Sequence, residues 1–281
     1  MNISTYSPKG ILKDFVEHIV FLNGEKCGTG IAFPRMHQVI IINLGTSFQV
    51  SDIYTARPRR YDCTSTVWVN GKQDISFMLE NKGTTAMYAV GLKSGMLPCF
   101  ADLPAIETND LAVGAEHWTS KEIFNLQEQL LACQDIQSGF LLIEKYLTSL
   151  LIKRQLPNLD KIRWLDKAIQ TCTVEDICRT LGATRKKLRN ETQYYFGGSV
   201  KNIQGIIRLN KTLSDIAHQA GKTLSAVHNY YDQSHFINDF KARTGITPSQ
   251  YRKLCLLDPS LKHTPNFISM QRETFLQFIS T

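Results

Sequence analysis

The sequence predicts an α+β chain: a β-rich N-terminal domain with trailing helices, followed by an all-α domain. Three observations carry that expectation. Over residues 1–115, short β-branched and aromatic stretches are bounded by Gly, Asn, Lys and Pro, which is the pattern of strands and turns. From residue 119 the apolar period changes to that of a helix. Positive charge is also confined: residues 160–255 hold 16 Lys and Arg against 8 Asp and Glu, while the remainder holds 16 against 17. A basic module joined to a neutral one is the balance expected when one part binds a polyanion and the other has a different task.

The bounds are those of an ordinary globular protein. A length of 281 residues suits two domains, and 43% hydrophobic with 20% charged residues supports packed cores. The longest apolar runs, such as 39-VIIINL-44, fall far short of the ~20 residues that span a bilayer. The N-terminus MNISTYSPKG has no basic region followed by a long apolar stretch, so no signal peptide is expected and the expected location is cytoplasmic. Seven cysteines are scattered, with no CxxC and no His at zinc-finger spacing. They read as reduced thiols, and neither a metal nor a cofactor is expected.

In chain order, 39-VIIINL-44, 66-TVWVN-70 and 84-TTAMYAVGL-92 read as strands of a barrel or sandwich. The pair 70-NG-71 reads as a hairpin turn. Thr119-Ser120 with Glu122 predicts a helix start, and Ile123, Leu126, Leu130 and Leu131 follow at helical spacing. A second helix from Ser138 has a broad apolar face of Phe140, Leu141, Ile143, Leu147, Leu150 and Leu151, which serves either packing on the β unit or dimerisation. The polar stretch 153-KRQLPNLDK-161 is the linker candidate. These divisions give a regulatory or dimerisation domain over 1–155, a helical domain over 160–255 and a tail over 256–281.

The helical third is punctuated clearly. In 230-YYDQSHFINDFKARTGITPSQYR-252, Asp232 is placed to cap a helix and Phe236 and Phe240 lie four apart on its buried face. Gly245 ends that helix, and Thr247 caps the next with Pro248 at its first position. A short helix fastened at both ends, with polar residues on its exposed first turns, suits the DNA major groove. A preceding helix is expected over 222–231, with Asn229 in the turn. A second copy lies upstream in 173-TVEDICRTLGATRKKLRNETQYYFGG-198: Thr173 and Asp176 cap, Gly182 turns, Thr184 caps again and Gly197-Gly198 terminate. Between the copies, 201-KNIQGIIRLNKTLSDI-216 reads as a longer connecting helix.

Two helix-turn-helix units joined by one helix resemble the AraC/XylS-type transcription regulators. YYDQSHF, FKARTG and ITPSQYRK are similar to that family's signature, as are I-C-x-x-L-G-A-T-R-x-x-L and the terminal Gly of the first unit. The resemblance covers about residues 160–255. More weakly, 1–155 is similar in layout to the β-rich domain that some members carry. The family usually has Gly where Asn229 stands, and an aromatic or aliphatic residue where Thr192 stands. The resemblance implies base contacts by Lys186, Arg189 and Asn190 in the first unit and by Gln233, Ser234, His235 and Asn238 in the second. It makes Arg185, Lys187, Lys201, Lys241, Arg243 and Arg252 candidates for phosphate contacts. Asp232, Phe236, Phe240, Gly245 and Pro248 become structural anchors. Implied partners are double-stranded DNA, RNA polymerase, a small-molecule effector and a second copy of the chain.

The rival reading is an enzyme with a β-rich catalytic N-terminal domain and an accessory nucleic-acid-binding helical domain. It needs convergent titratable groups. Residues 1–115 offer only His18 and His37, with no HxH, no serine elbow and no Gly-rich phosphate loop, and no catalytic residue is assigned.

Overall fold

The structure, a computed structural model, describes residues 2–24, 29–53, 60–63, 66–81, 83–119, 121–220 and 233–280. In chain order, the strands are β1 (Asn2–Tyr6), β2 (Val16–Gly24), β3 (Thr29–Ala32), β4 (Gln38–Asn43), β5 (Phe48–Asp52), β6 (Arg60–Cys63), β7 (Val67–Asn70), β8 (Phe77–Asn81), β9 (Thr85–Leu92) and β10 (Ala112–Gly114). Then come α1 (Glu122–Leu131) and α2 (Ile136–Lys153), followed by α3 (Leu159–Thr171), α4 (Val174–Leu181), α5 (Arg185–Phe196), α6 (Val200–Gln219), α7 (Gln233–Thr244) and α8 (Pro248–Leu257). The chain closes with β11 (Phe267–Ser269) and α9 (Arg272–Ser280).

The strands form two sheets, in the orders β1-β2-β9-β4-β7-β10 and β11-β3-β8-β5-β6. Strand β4 explains why 39-VIII-42 is an unbroken apolar run. Ile41 faces Val50, Trp68, Phe77 and Met87 in one cluster, while Ile40 and Ile42 face the core that holds α1 and α2. Both faces are covered, so period-two alternation is lost. Phe140 of α2 packs against Tyr6 and Tyr88, at ring separations of 5.3 and 5.5 Å. The buried face of α2 is therefore spent on the β unit.

Two expectations are corrected. The 70-NG-71 pair makes no hairpin, because β7 and β8 belong to different sheets. Gly71 lies where the chain crosses between them: its N–H donates to the Thr108 carbonyl at 3.1 Å, and a Cβ there would sit 2.5 Å from that oxygen. Helix α1 begins at Glu122 without a side-chain cap. The tail, by contrast, packs and forms a helix, as its apolar residues predict. Strand β11 pairs antiparallel with β3, Phe275 of α9 is fully buried, and the Tyr251 hydroxyl donates to the Pro265 carbonyl at 2.8 Å.

The two helix-turn-helix units have different cores. Ile162, Leu165, Ile177, Leu188, Phe196 and Ile203 of the first are continuous with the core of the six-stranded sheet. Phe236, Phe240, Tyr251 and Leu254 of the second pack with Leu209 and Leu213 of α6, Ile31, Phe33 and Met78 of the β unit, and Ile268 and Phe275 of the tail.

Candidate DNA interface

Helix α5 is held at both ends by its own sequence. The Thr184 hydroxyl accepts from the Lys187 N–H at 3.2 Å, and Gly197 closes the helix in the left-handed region at φ 74°. Leu188, Thr192 and Phe196 are buried at four-residue spacing, so Lys186, Arg189 and Asn190 share the opposite, exposed side. Thr192 fits where a larger residue is usual because its hydroxyl donates to the Arg189 carbonyl at 3.1 Å and Phe196 supplies the apolar bulk. Arg185 and Lys187 are exposed as well, with Arg185 paired to Glu175 of α4 at 2.5 Å. Glu191 turns back to Lys161 of α3 at 2.7 Å, so its charge is met by a neighbouring helix.

Helix α6 runs unbroken through Ile216 and Ala217 to Gln219, with Lys201 exposed near its start. Residues 221–232 lie outside the described part, and with them the expected helix over 222–231, Asn229 and the Asp232 cap. The side chain of Gln233 lies outside it too. In α7, Ser234, His235, Asn238 and Lys241 are exposed or partly exposed. Phe236 and Phe240 are buried with their rings 5.8 Å apart, and Phe240 stands 6.0 Å from the Tyr251 ring. Gly245 ends the helix at φ 77°. A reciprocal capping box of Thr247 and Gln250, with Pro248 at the first turn, then starts α8.

Besides Arg185, two more of the cations proposed for phosphate are engaged within the fold. Arg243 is half-buried, bonding Asp239 at 3.1 Å and lying 3.9 Å from Asp74 of the β unit. The Arg252 Nε donates to the Ala220 carbonyl at 2.8 Å. Asp239 thus pairs within its own helix, as its spacing predicts.

Sequence reasoning missed a set of β-unit residues that reach the ends of both helices. The Asn109 side-chain amide donates to the Gly197 carbonyl, and Gln38 donates to the Tyr195 carbonyl at 3.4 Å. Ser76 donates twice to the end of α7, from its N–H to the Arg243 carbonyl at 3.2 Å and from its hydroxyl to the Thr244 carbonyl at 3.1 Å. Asp110 ties these loops together by accepting from the Asp74 N–H at 2.7 Å. Burial pushes the Asp110 carboxyl up, while that N–H and the nearby Lys72 pull it down. No sequence motif marks these contacts. A groove of about 480 Å³ also runs between α3 and α5, with Ile162 and Leu165 in its lining and Tyr194 and Tyr195 on the α5 side. Among the described residues, no group of His, Cys, Asp and Glu is arranged to hold a metal, and no helix is long and apolar enough to cross a membrane.

A family model described as a helix-turn-helix domain matches residues 177–254, from within α4 to within α8. Those residues are an AraC-type helix-turn-helix domain. No curated protein matches the chain. Among solved structures, an apo variant of ToxT from Vibrio cholerae is similar at 16% identity and a TM-score of 0.41, over 84% of this chain and 97% of that one. ToxT from the same organism with unsaturated fatty acid bound is similar at 15% identity and 0.38, over 83% and 94%. The AraC-like transcriptional activator CuxR is similar at 12% identity and 0.24, over 79% and 89%. The AraC-type domain makes residues 177–254 the DNA-binding part of a transcription regulator.

Proposed function

We propose that α5 and α7 enter successive major-groove segments on one face of a duplex, and that the chain reads a specific DNA site in this way. The observation that carries the reading is a matched pair of short helices, each with one face buried and the other polar and exposed, one on either side of α6 in the chain. Arg189 suits the two acceptors of guanine, and Asn190 and Asn238 suit adenine. Lys186, Ser234, His235 and, by sequence position, Gln233 complete the base-facing set. Lys187, Lys201 and Lys241 supply phosphate contacts, and Arg185, Arg243 and Arg252 reach phosphate only by leaving their present partners. Gel shifts on a selected site at rising salt test this. Affinity should fall steeply with salt, and a flat response, or unchanged binding by the Arg189→Ala, Asn238→Ala double variant, would count against it.

In this reading the β unit is regulatory, through a small molecule or a second copy of the chain, and RNA polymerase is the downstream partner. One observation favours a second copy. Leu141 and Ile152 lie three turns apart on one side of α2 and are 51% and 75% exposed. Sedimentation equilibrium should give a dimer that Leu141→Glu with Ile152→Glu converts to monomer.

A further inference from the structure

We propose that loops 71–76 and 105–110 of the β unit form one clamp that sets the separation of the two recognition helices, with Asn109 and Ser76 as its positioning residues. The inference rests on the DNA-reading proposal above. The last carbonyls of a helix have no partner inside it. Here the β unit supplies partners at both readers: Asn109 for Gly197 at the end of α5, and Ser76 for Arg243 and Thr244 at the end of α7. The approach at α5 is close. A Cβ on Gly197 would come within 2.4 Å of the Asn109 oxygen, in a backbone conformation that already favours glycine.

The two loops are fastened to each other as firmly as to the helices. The Asp110 carboxylate accepts from the N–H groups of Asp74 and Ile75 at 2.7 and 3.4 Å. Its own N–H donates to the Lys72 carbonyl at 3.1 Å, and Gly71 donates to Thr108 at 3.1 Å. Asp110 holds φ 55°, the only positive φ outside glycine among the described residues. Such a backbone persists only where its surroundings impose it. Asp74 adds a third attachment, accepting from Asn202 of α6 at 2.9 Å. The path from one reader to the other thus runs Gly197, Asn109, Asp110, Asp74, Ser76, Thr244, entirely outside the helix that joins the two units.

A clamp of this kind affects the pair of readers, not either reader alone. The test uses the full chain on a selected two-half-site duplex, on duplexes with one or two base pairs added or removed between the half-sites, and on duplexes with one half-site scrambled. Wild-type protein should show a sharp spacing optimum. Asn109→Ala should flatten it with about a tenfold loss at the optimum, Ser76→Ala should flatten it less because its backbone bond remains, and both should keep single half-site affinity within about twofold, because only the effective concentration of the second reader changes. The double variant should be no worse than Asn109→Ala alone, since that one broken link already opens the path. Ser76→Ala keeps its backbone bond and is the variant least able to disturb folding. A spacing profile superimposable on wild type, or a parallel loss on single half-sites, would overturn the clamp. Wild-type protein indifferent to spacing would sink the two-reader proposal itself, and the clamp with it.

Discussion

The two recognition helices have the same outline and different chemistry. Helix α5 exposes Arg185, Lys186, Lys187 and Arg189 within its first turn and a half. Helix α7 presents Ser234, His235 and Asn238 there, and of its two later cations Lys241 is exposed while Arg243 is held by Asp239 and Asp74. Phosphate contacts dominate affinity and its salt dependence, whereas base edges carry the sequence information. Under the proposed reading, the difference gives α5 the larger share of the electrostatic attraction and α7 a share made mainly of uncharged hydrogen bonds. The supports differ in parallel. The first unit's core is continuous with the six-stranded sheet, while the second depends on three separate pieces: α6, the β3–β8 pair and the tail.

The largest expected effect breaks that comparison at its weaker side. Phe240 is fully buried between Phe236 and Tyr251. Phe240→Ala removes a ring from a packed core and should cost about 3–5 kcal/mol, read from urea unfolding. Binding to the second half-site should vanish while binding to an isolated first half-site persists. Equal loss at both half-sites would show that the two cores do not act separately.

Much of this was legible from sequence because the signals are local. Thr173, Thr184 and Thr247 cap helices where their spacing predicts, and Gly182, Gly197 and Gly245 take positive φ where helices end. Phe236 and Phe240 are buried as four-residue spacing requires. What was not legible involves partners far apart in the chain. Asn109 with Gly197, Ser76 with Thr244 and β11 with β3 join residues 88, 168 and over 230 positions apart. The failed hairpin at Asn70-Gly71 has the same origin: the pair suits a turn locally, and the Thr108 backbone claims Gly71 instead. Arg243 and Arg252 illustrate the limit for charges, since composition gives the sign and only packing gives the place where the guanidinium ends.

An intermediate effect sharpens the comparison. Arg189→Ala and Asn238→Ala should each relax discrimination at one base pair by ~1–3 kcal/mol, measured as the ratio of affinities for matched and substituted sites. The affected base pair should lie in the first half-site for Arg189→Ala and in the second for Asn238→Ala. Effects in the same half-site would mean that the helices do not read separate segments.

The smallest effect bears most directly on the division of labour. The slope of log affinity against log salt becomes shallower by ~0.9 for each phosphate the protein ceases to neutralise. Lys187→Ala should change it by about one such step and weaken binding evenly across sequences, because a lysine on a phosphate carries no base information. Asn238→Ala should leave the slope unchanged, since an uncharged amide releases no counterion. The two variants therefore separate in opposite ways on the two measurements, one in slope and the other in specificity. If both change the slope alike, charge is not what distinguishes α5 from α7, and the contrast between an electrostatic reader and a hydrogen-bonding reader fails at its base.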